Sequence, residues 1–240
     1  MLNLKGKTAL VTGGSKGIGL AVARRLAQAG SNVAICGRSE AALASALDGL
    51  RLEFPAESLK LAAFAADVRD EDAVRDLFLE VDSVFGGLDI LVNNAGVGIF
   101  KDLASLEPEE WKTVIETNLN GAYFCSHEAL PRFRARGGGW IVNVASLASK
   151  NSFAGGAAYN ASKFGMLGFS EAIMLDHRYE GVRVSTVLPG SVSTDFGVSG
   201  RADWKIAPED VAEVIASILA IPDRTLVSHV EIRPSRPKKG

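Results

Sequence analysis

A doubly wound α/β fold, with a parallel sheet covered by helices on both faces, is predicted by two features of this 240-residue chain. Strand and helix patterns alternate from end to end, which points to parallel strands joined by right-handed helical crossovers. The first strand also runs directly into the glycine turn Leu10-Val11-Thr12-Gly13-Gly14-Ser15-Lys16-Gly17-Ile18-Gly19, which opens a helix.

Each element follows from its residues. Thr8 to Val11 is short, apolar and β-branched, and Ile18, Val22, Leu26 and Ala29 then repeat at helical spacing until Gly30. Asn32–Cys36 reads as a second strand, and Ser39 caps a helix carrying Leu43, Leu47 and Leu50. Leu59–Ala65 is a third strand. Asp70 caps the next helix, lined on one face by Val74, Leu77, Phe78, Val81 and Phe85. After a fourth strand, Leu88–Val92, Pro108 opens a long helix from Glu109 towards Phe133, with Pro131 bending or ending its last turns. Trp140–Val144 is the fifth strand, followed by a helix over Ala157–Tyr179 and a sixth strand, Val182–Val187. Pro208 opens a last helix, and Leu226–Ile232 closes the chain as a seventh strand.

Residues 1–240 read as one domain, without repeats or a linker; Gly137-Gly138-Gly139 reads as a loop. Hydrophobic residues make up 47% and charged residues 22%, a globular balance, and the net charge of −2 gives no general attraction to nucleic acid or anionic membranes. Cys36 and Cys125 lie far apart in apolar elements and read as reduced core thiols. His127, His177 and His229 have no metal-ligand spacing. With no leader-like start and no apolar run of membrane length, the expected compartment is the cytoplasm.

The glycine turn implies an anion site. Gly13 suits a sharp turn, Gly17 lets a phosphate approach the backbone, and Gly19 allows close packing of helix on strand. The amides and dipole at the helix start then attract negative charge. Ligands of such sheets lie beyond the carboxyl ends of the strands, where Asn93-Asn94-Ala95-Gly96, Ser146 and Pro189-Gly190-Ser191-Val192-Ser193-Thr194 all fall. Tyr159 and Lys163 stand one helical turn apart, so they share a face. A tyrosine titrates near 10, and a close ammonium favours the phenolate. Bringing the phenol near neutrality takes roughly 3–4 kcal/mol of differential stabilisation, which would make Tyr159 a general acid for carbonyl reduction.

Together, the Thr12–Gly19 turn, Asn93 to Gly96, Ser146, Tyr159, Lys163 and Pro189-Gly190 resemble the short-chain dehydrogenase/reductase family in its single-domain form. The resemblance runs over essentially the whole chain and implies a Rossmann domain with a seven-stranded parallel sheet. It assigns proton transfer to Tyr159, stabilisation of the substrate oxygen to Ser146, and tuning of Tyr159 and a grip on the ribose to Lys163. Asn118 matches the asparagine that holds a relay water. The cofactor residues implied are Gly13, Ser15, Lys16, Gly17, Ile18, Gly19, Arg38, Asp67, Val68, Asn93, Ala95, Gly96, Tyr159, Lys163, Pro189, Gly190, Val192 and Thr194. Asp67 and Val68 match an adenine-contacting pair, and Pro189, Gly190 and Thr194 match the segment holding the nicotinamide carboxamide.

Gly37 stands where an NAD-preferring member carries an acid, and Arg38 and Lys16 suit a 2′-phosphate, so NADP(H) is expected over NAD(H). The family further implies a homotetramer, with a dimer next, through helices Glu109–Phe133 and Ala157–Tyr179. A short lid is expected at about 191–207; its Phe196, Val198 and Trp204 either cover an apolar substrate or pack on the sheet. The ending Leu226–Pro234 lacks the Asp-Gly-Gly of 3-oxoacyl-carrier-protein reductases and is more similar to NADP-dependent 3-hydroxy-acid dehydrogenases. The expected activity is hydride exchange between NADP(H) and a carbonyl or secondary alcohol. The 3-oxoacyl reductase is one alternative. A nucleotide-sensing regulator would not need the intact reactive set, and an epimerase or dehydratase of the longer relatives would need more chain after Thr194.

Overall fold

The computed structural model describes residues 2–55, 59–196 and 202–237. Seven parallel strands form one sheet in the order β3-β2-β1-β4-β5-β6-β7. They are β1 (Thr8–Thr12), β2 (Asn32–Gly37), β3 (Leu61–Ala65), β4 (Ile90–Asn93), β5 (Gly139–Val144), β6 (Val182–Pro189) and β7 (His229–Ile232). The chain winds outward from β1 to β3, then returns to place β4 against the other side of β1. The order therefore reverses between β1 and β4, and a crevice opens there beyond the strand ends.

Alternate residues of the buried strands serve two apolar layers. Val11, Ile35, Val92 and Val142 face a layer containing α1 (Gly17–Gln28), α2 (Glu40–Glu53) and α7 (Pro208–Leu219). Leu10, Ala34, Leu91 and Ile141 face the layer of α3 (Glu71–Phe85) and α5 (Gly121–Arg136), with α6 (Ala157–His177) packed beside them. The caps follow the side chains. Ser39 Oγ accepts the Ala42 amide, and Asp70 accepts those of Asp72 and Ala73. Pro108 and Pro208 begin α4 (Pro108–Ile115) and α7, where Glu110 and Asp210 accept the amides of Glu107 and Ala207.

Several boundaries differ from the sequence reading. The helix expected to run from Glu109 to Phe133 is α4, a π turn at Glu116–Asn120, and α5. The π turn closes with the Gly121 amide donating to the Glu116 carbonyl. Pro131 does not end α5, which continues to Arg136. Both Pro131 and His127, whose carbonyl loses its usual partner, lie on the exposed side. β3 begins at Leu61 and β7 at His229, both later than expected, because pairing with the neighbouring strands starts there. Gly139 is the first residue of β5 rather than part of a loop, while Gly137 and Gly138 hold positive φ at the end of α5. No described helix is long and apolar enough to cross a membrane.

On the helices expected to pair between subunits, several apolar side chains are internal. Val114 is fully buried, and Phe124 and Ile173 pack on the core. The large apolar side chains that α4, α5 and α6 leave exposed are Trp111, Tyr123, Phe164 and Leu175.

Candidate active site

The glycine turn is tied to the strand that faces it across the crevice. Thr12 Oγ1 accepts the amides of Asn94 and Ala95, both at 3.0 Å. Asn94 Nδ2 donates back to the carbonyls of Thr12 at 2.9 Å and Gly13 at 3.1 Å. Gly13 and Gly17 take φ of +63° and +56°, conformations that favour glycine. A Cβ on Gly19 would run into the Gly13 carbonyl, so this glycine closes the turn on itself. Helix α1 starts with no side-chain cap at Lys16 and no acid in its first turn. Its leading amides, including those of Ile18 and Gly19, have no acceptor within the helix. Such an end suits an external anion.

Around the rim, Lys16 and Arg38 are exposed and Ser15 is half-buried. A Cβ on Gly37 would stand 3.8 Å from Ser15 Oγ, so a side chain there would project over the turn. Asp67 follows β3, but its carboxylate is already gripped by Arg69, with Nη2 at 2.7 Å from Oδ2 and Nε near both oxygens. That grip holds the Asp67 carboxyl below its usual range, with a smaller contribution from Arg38. Arg69 was not anticipated; its closeness to Asp67 in sequence was the available signal. Val68 packs against the start of α5, where a Cβ on Gly121 would strike its side chain.

Asn93 was expected, with Ala95 and Gly96, in the segment that supports the central strand and the ribose. Its side chain serves the core, where Nδ2 donates to Asn143 Oδ1 at 2.8 Å and Ser126 Oγ at 3.1 Å. The alternation at a strand end sends Asn93 to one face and Asn94 towards the glycine turn, so Asn94 is the residue that braces the cofactor crevice.

Beyond β5, Ser146 Oγ accepts the Ala148 amide and lies near enough to the Tyr159 phenol to favour its ionised form. The turn-capping reading of Ser146 is therefore seen directly, and the same hydroxyl stands on the side of the Tyr159 phenol. Lys163 Nζ is buried, donates to the Val144 carbonyl at 3.1 Å and lies 5.8 Å from the Tyr159 ring centre. Burial lowers the Lys163 pKa to about 8. The expected lowering of Tyr159 is not a property of the polypeptide alone: burial pushes the phenol up, and the Ser146 hydroxyl only partly opposes this.

Asn118 sits fully buried in the π turn. Its side chain grips Val97 in both directions, accepting the amide at 2.8 Å and donating to the carbonyl at 2.9 Å, and it also donates to Ser162. A Cβ on Gly96 would lie 3.3 Å from Asn118 Oδ1 and 3.9 Å from Lys163 Nζ, which brings the three residues to one spot. Half-buried Ala95 leads into this segment. Ser162 and Val97 were not singled out in the sequence. After β6, which ends at Pro189, the Gly190 amide donates to Ile232, Val192 pairs with Ile206, and Thr194 comes close to Gly17. Of the proposed lid residues, Phe196 faces Tyr159 and Trp204 is half-buried, while Val198 lies outside the described residues.

The family model for short chain dehydrogenases matches residues 7–204, which contain the glycine turn, Asn118, Ser146, Tyr159, Lys163 and Thr194. The chain belongs to the short-chain dehydrogenase family.

Its relatives are oxidoreductases of several kinds. A 3beta-hydroxysteroid dehydrogenase of Mediterraneibacter gnavus is 37% identical over 212 residues, 86% of this chain and 73% of that one. A 3-oxoacyl-[acyl-carrier-protein] reductase of Staphylococcus aureus is 37% identical over 192 residues, covering 79% and 76%. Among solved structures, an alcohol dehydrogenase of Thermococcus sibiricus complexed with 5-hydroxy-NADP matches with a TM-score of 0.89 at 29% identity, over 97% of this chain and 99% of that one. A metagenomic short-chain oxidoreductase in complex with NADP matches at 0.85 and 35% identity, over 98% and 99%. A nicotinamide cofactor fits this short-chain dehydrogenase on its own geometry as well. The uncapped, acid-free start of α1 and the glycine turn make the anion cradle.

Proposed function

We propose that this short-chain dehydrogenase is an NADP(H)-dependent carbonyl reductase or secondary-alcohol dehydrogenase. The observation that carries the reading is the nearly buried Tyr159 on the Ser146 side of the crevice, with the buried Lys163 ammonium beside its ring. When bound, the nicotinamide cofactor supplies or accepts the hydride at the carbonyl carbon. Tyr159 gives the proton to the carbonyl oxygen in reduction and takes it from the alcohol in oxidation. Ser146 donates to the same oxygen and stabilises the charge that develops there. Lys163 holds the ribose and, with the positive charge of the oxidised cofactor, offsets the burial that raises Tyr159.

Protons reach Lys163 through water held at the Asn118 π turn, a reading supported by Gly96, Asn118 and Lys163 meeting at one spot. The amides at Gly17–Gly19 take the pyrophosphate. Gly37 and Arg38 accommodate a 2′-phosphate, and the described residues after β6, from Ser191 to Phe196, form part of the lid. The 3-oxoacyl reductase among the relatives supports a second substrate reading on the same machinery.

Tyr159→Phe tests the reading because it removes only the ionisable oxygen. Turnover is expected to fall more than tenfold while NADPH binding, followed by fluorescence, stays within about twofold. Alcohol oxidation should rise with pH and reduction should fall, around one shared apparent pKa. A Phe variant keeping a tenth of the activity overturns the assignment of the proton donor.

A further inference from the structure

Three phenylalanines from three separate segments surround the reactive phenol. Phe100 meets the Tyr159 ring edge-on, with centroids 5.4 Å apart. Phe196 lies 5.9 Å from Tyr159, and Phe153 lies 5.8 Å from Phe100 and 6.5 Å from Tyr159. These rings are not core. Phe153 is 46% and Phe196 41% exposed, beside a Tyr159 that is only 9% exposed. They form an apolar collar around the Tyr159 ring.

The backbone makes room for this collar. A Cβ on Gly98 would stand 2.7 Å from Phe100 and 3.0 Å from Phe196. One on Gly156 would stand 2.6 Å from Phe153. The segments are also fixed in place. Lys101 pairs with Gly156 in a parallel bridge that joins the first two. The third is held by the Val192–Ile206 pairing and by the Phe196 amide donating to Thr194 Oγ1 at 3.2 Å.

The charges on the first two segments are occupied. Lys101 is bound by Glu110, and Lys150 by Glu231 at 3.2 Å. Asp102 accepts from Ala104 and Ser105 and closes a turn. On these two segments a substrate carboxylate would have to break an existing ion pair and leave its own charge against the aromatic rings, whereas an apolar ring gains their faces and edges.

Building on the oxidoreductase reading above, we infer that the substrate is an uncharged ketone, or its alcohol, carrying a bulky ring directly beside the reacting carbon, and that Phe100, Phe153 and Phe196 select it. This separates the chain from a 3-hydroxy-acid dehydrogenase, whose substrate bears a carboxylate close to the reacting carbon.

The test is NADPH oxidation with four probes: 1-phenylethanone, butanone, 3-oxobutanoate and a straight-chain 3-oxoacyl thioester. The aryl ketone should exceed 3-oxobutanoate at least tenfold in kcat/KM and should also exceed butanone and the thioester. The aryl-to-butanone ratio should fall at least fivefold in Phe100→Leu and Phe153→Leu, which keep apolar bulk but remove the ring, with KM for the aryl ketone carrying most of the change. Gly98→Ala should lower the same ratio by displacing two rings without altering Tyr159. Reduction of 3-oxobutanoate or the thioester at or above the rate for the aryl ketone overturns this inference alone, as does a ratio unchanged in all three variants. A protein that reduces none of the four overturns the oxidoreductase reading together with it.

Discussion

Among single residues, the sharpest consequences concern Lys163 and the rim of the cofactor crevice. Lys163 is almost fully buried, and its pKa is lowered to about 8 from the ordinary lysine value of 10.5. Below pH 8 the folded protein therefore carries a desolvated charge that the unfolded chain keeps in water. Between pH 8 and 10.5 the unfolded chain binds more protons than the folded one, so stability rises with pH. The full cost is about 3 kcal/mol, and losing the hydrogen bond to Val144 takes back about 1 kcal/mol. Lys163→Met should thus be inactive yet more stable than the parent by about 2 kcal/mol at pH 7. Urea unfolding at pH 7 and pH 10 should show that advantage shrinking as pH rises.

Cofactor choice belongs to the same scale. Gly37 offers no carboxylate to repel a 2′-phosphate, and Arg69 already holds the carboxylate of Asp67. Charge-assisted bonds contribute roughly 1.5–3 kcal/mol each, less where solvent screens them. NADPH should therefore be preferred at least tenfold over NADH in kcat/KM. Arg38→Ala should remove most of that preference and Gly37→Asp should turn it towards NADH; equal use of both cofactors by the parent protein refutes the assignment.

At the scale of elements, the π turn is where α4 and α5 meet the chemistry. Its asparagine satisfies both backbone groups of Val97 and also Ser162, all in a buried setting. Asn118→Ala leaves at least two buried polar groups without partners, at about 1–3 kcal/mol each. Thermal unfolding should fall by several degrees, and activity should fall with it, because Gly96 and Val97 lose their anchor beside Lys163. A variant with unchanged melting temperature would show that the side chain is not what holds this segment.

For the whole molecule, the outer surface of α4–α6 keeps Trp111 at 39%, Tyr123 at 49% and Phe164 at 44% exposure. Large apolar side chains exposed on these helices are the kind of surface that a subunit interface would cover. The expected assembly is a homotetramer, with a dimer next. Light scattering at micromolar concentration should give about 100 kDa, four times the 25.3 kDa chain; a species of chain mass alone would refute it. Phe164→Glu should shift the assembly towards smaller species.

Much of this protein was legible in residue order. Alternating apolar periods, Ser39 and Asp70 at helix starts, and the glycine turn are local signals, and local backbone physics acts on them wherever the chain goes. They were enough for the parallel sheet and for placing Ser146, Tyr159 and Lys163 beyond its strand ends. Properties set by distant neighbours were not legible. The helical period passes through Asn118 without a break, and the π turn depends on contacts with Val97 and Ser162, far away in sequence. The face taken by Asn93, the occupation of Asp67 by Arg69 and the upward shift of Tyr159 likewise depend on packing. The phenylalanine collar is the clearest case: positions 100, 153 and 196 share no spacing rule, and only the close approach of three strand ends places their rings around the Tyr159 ring.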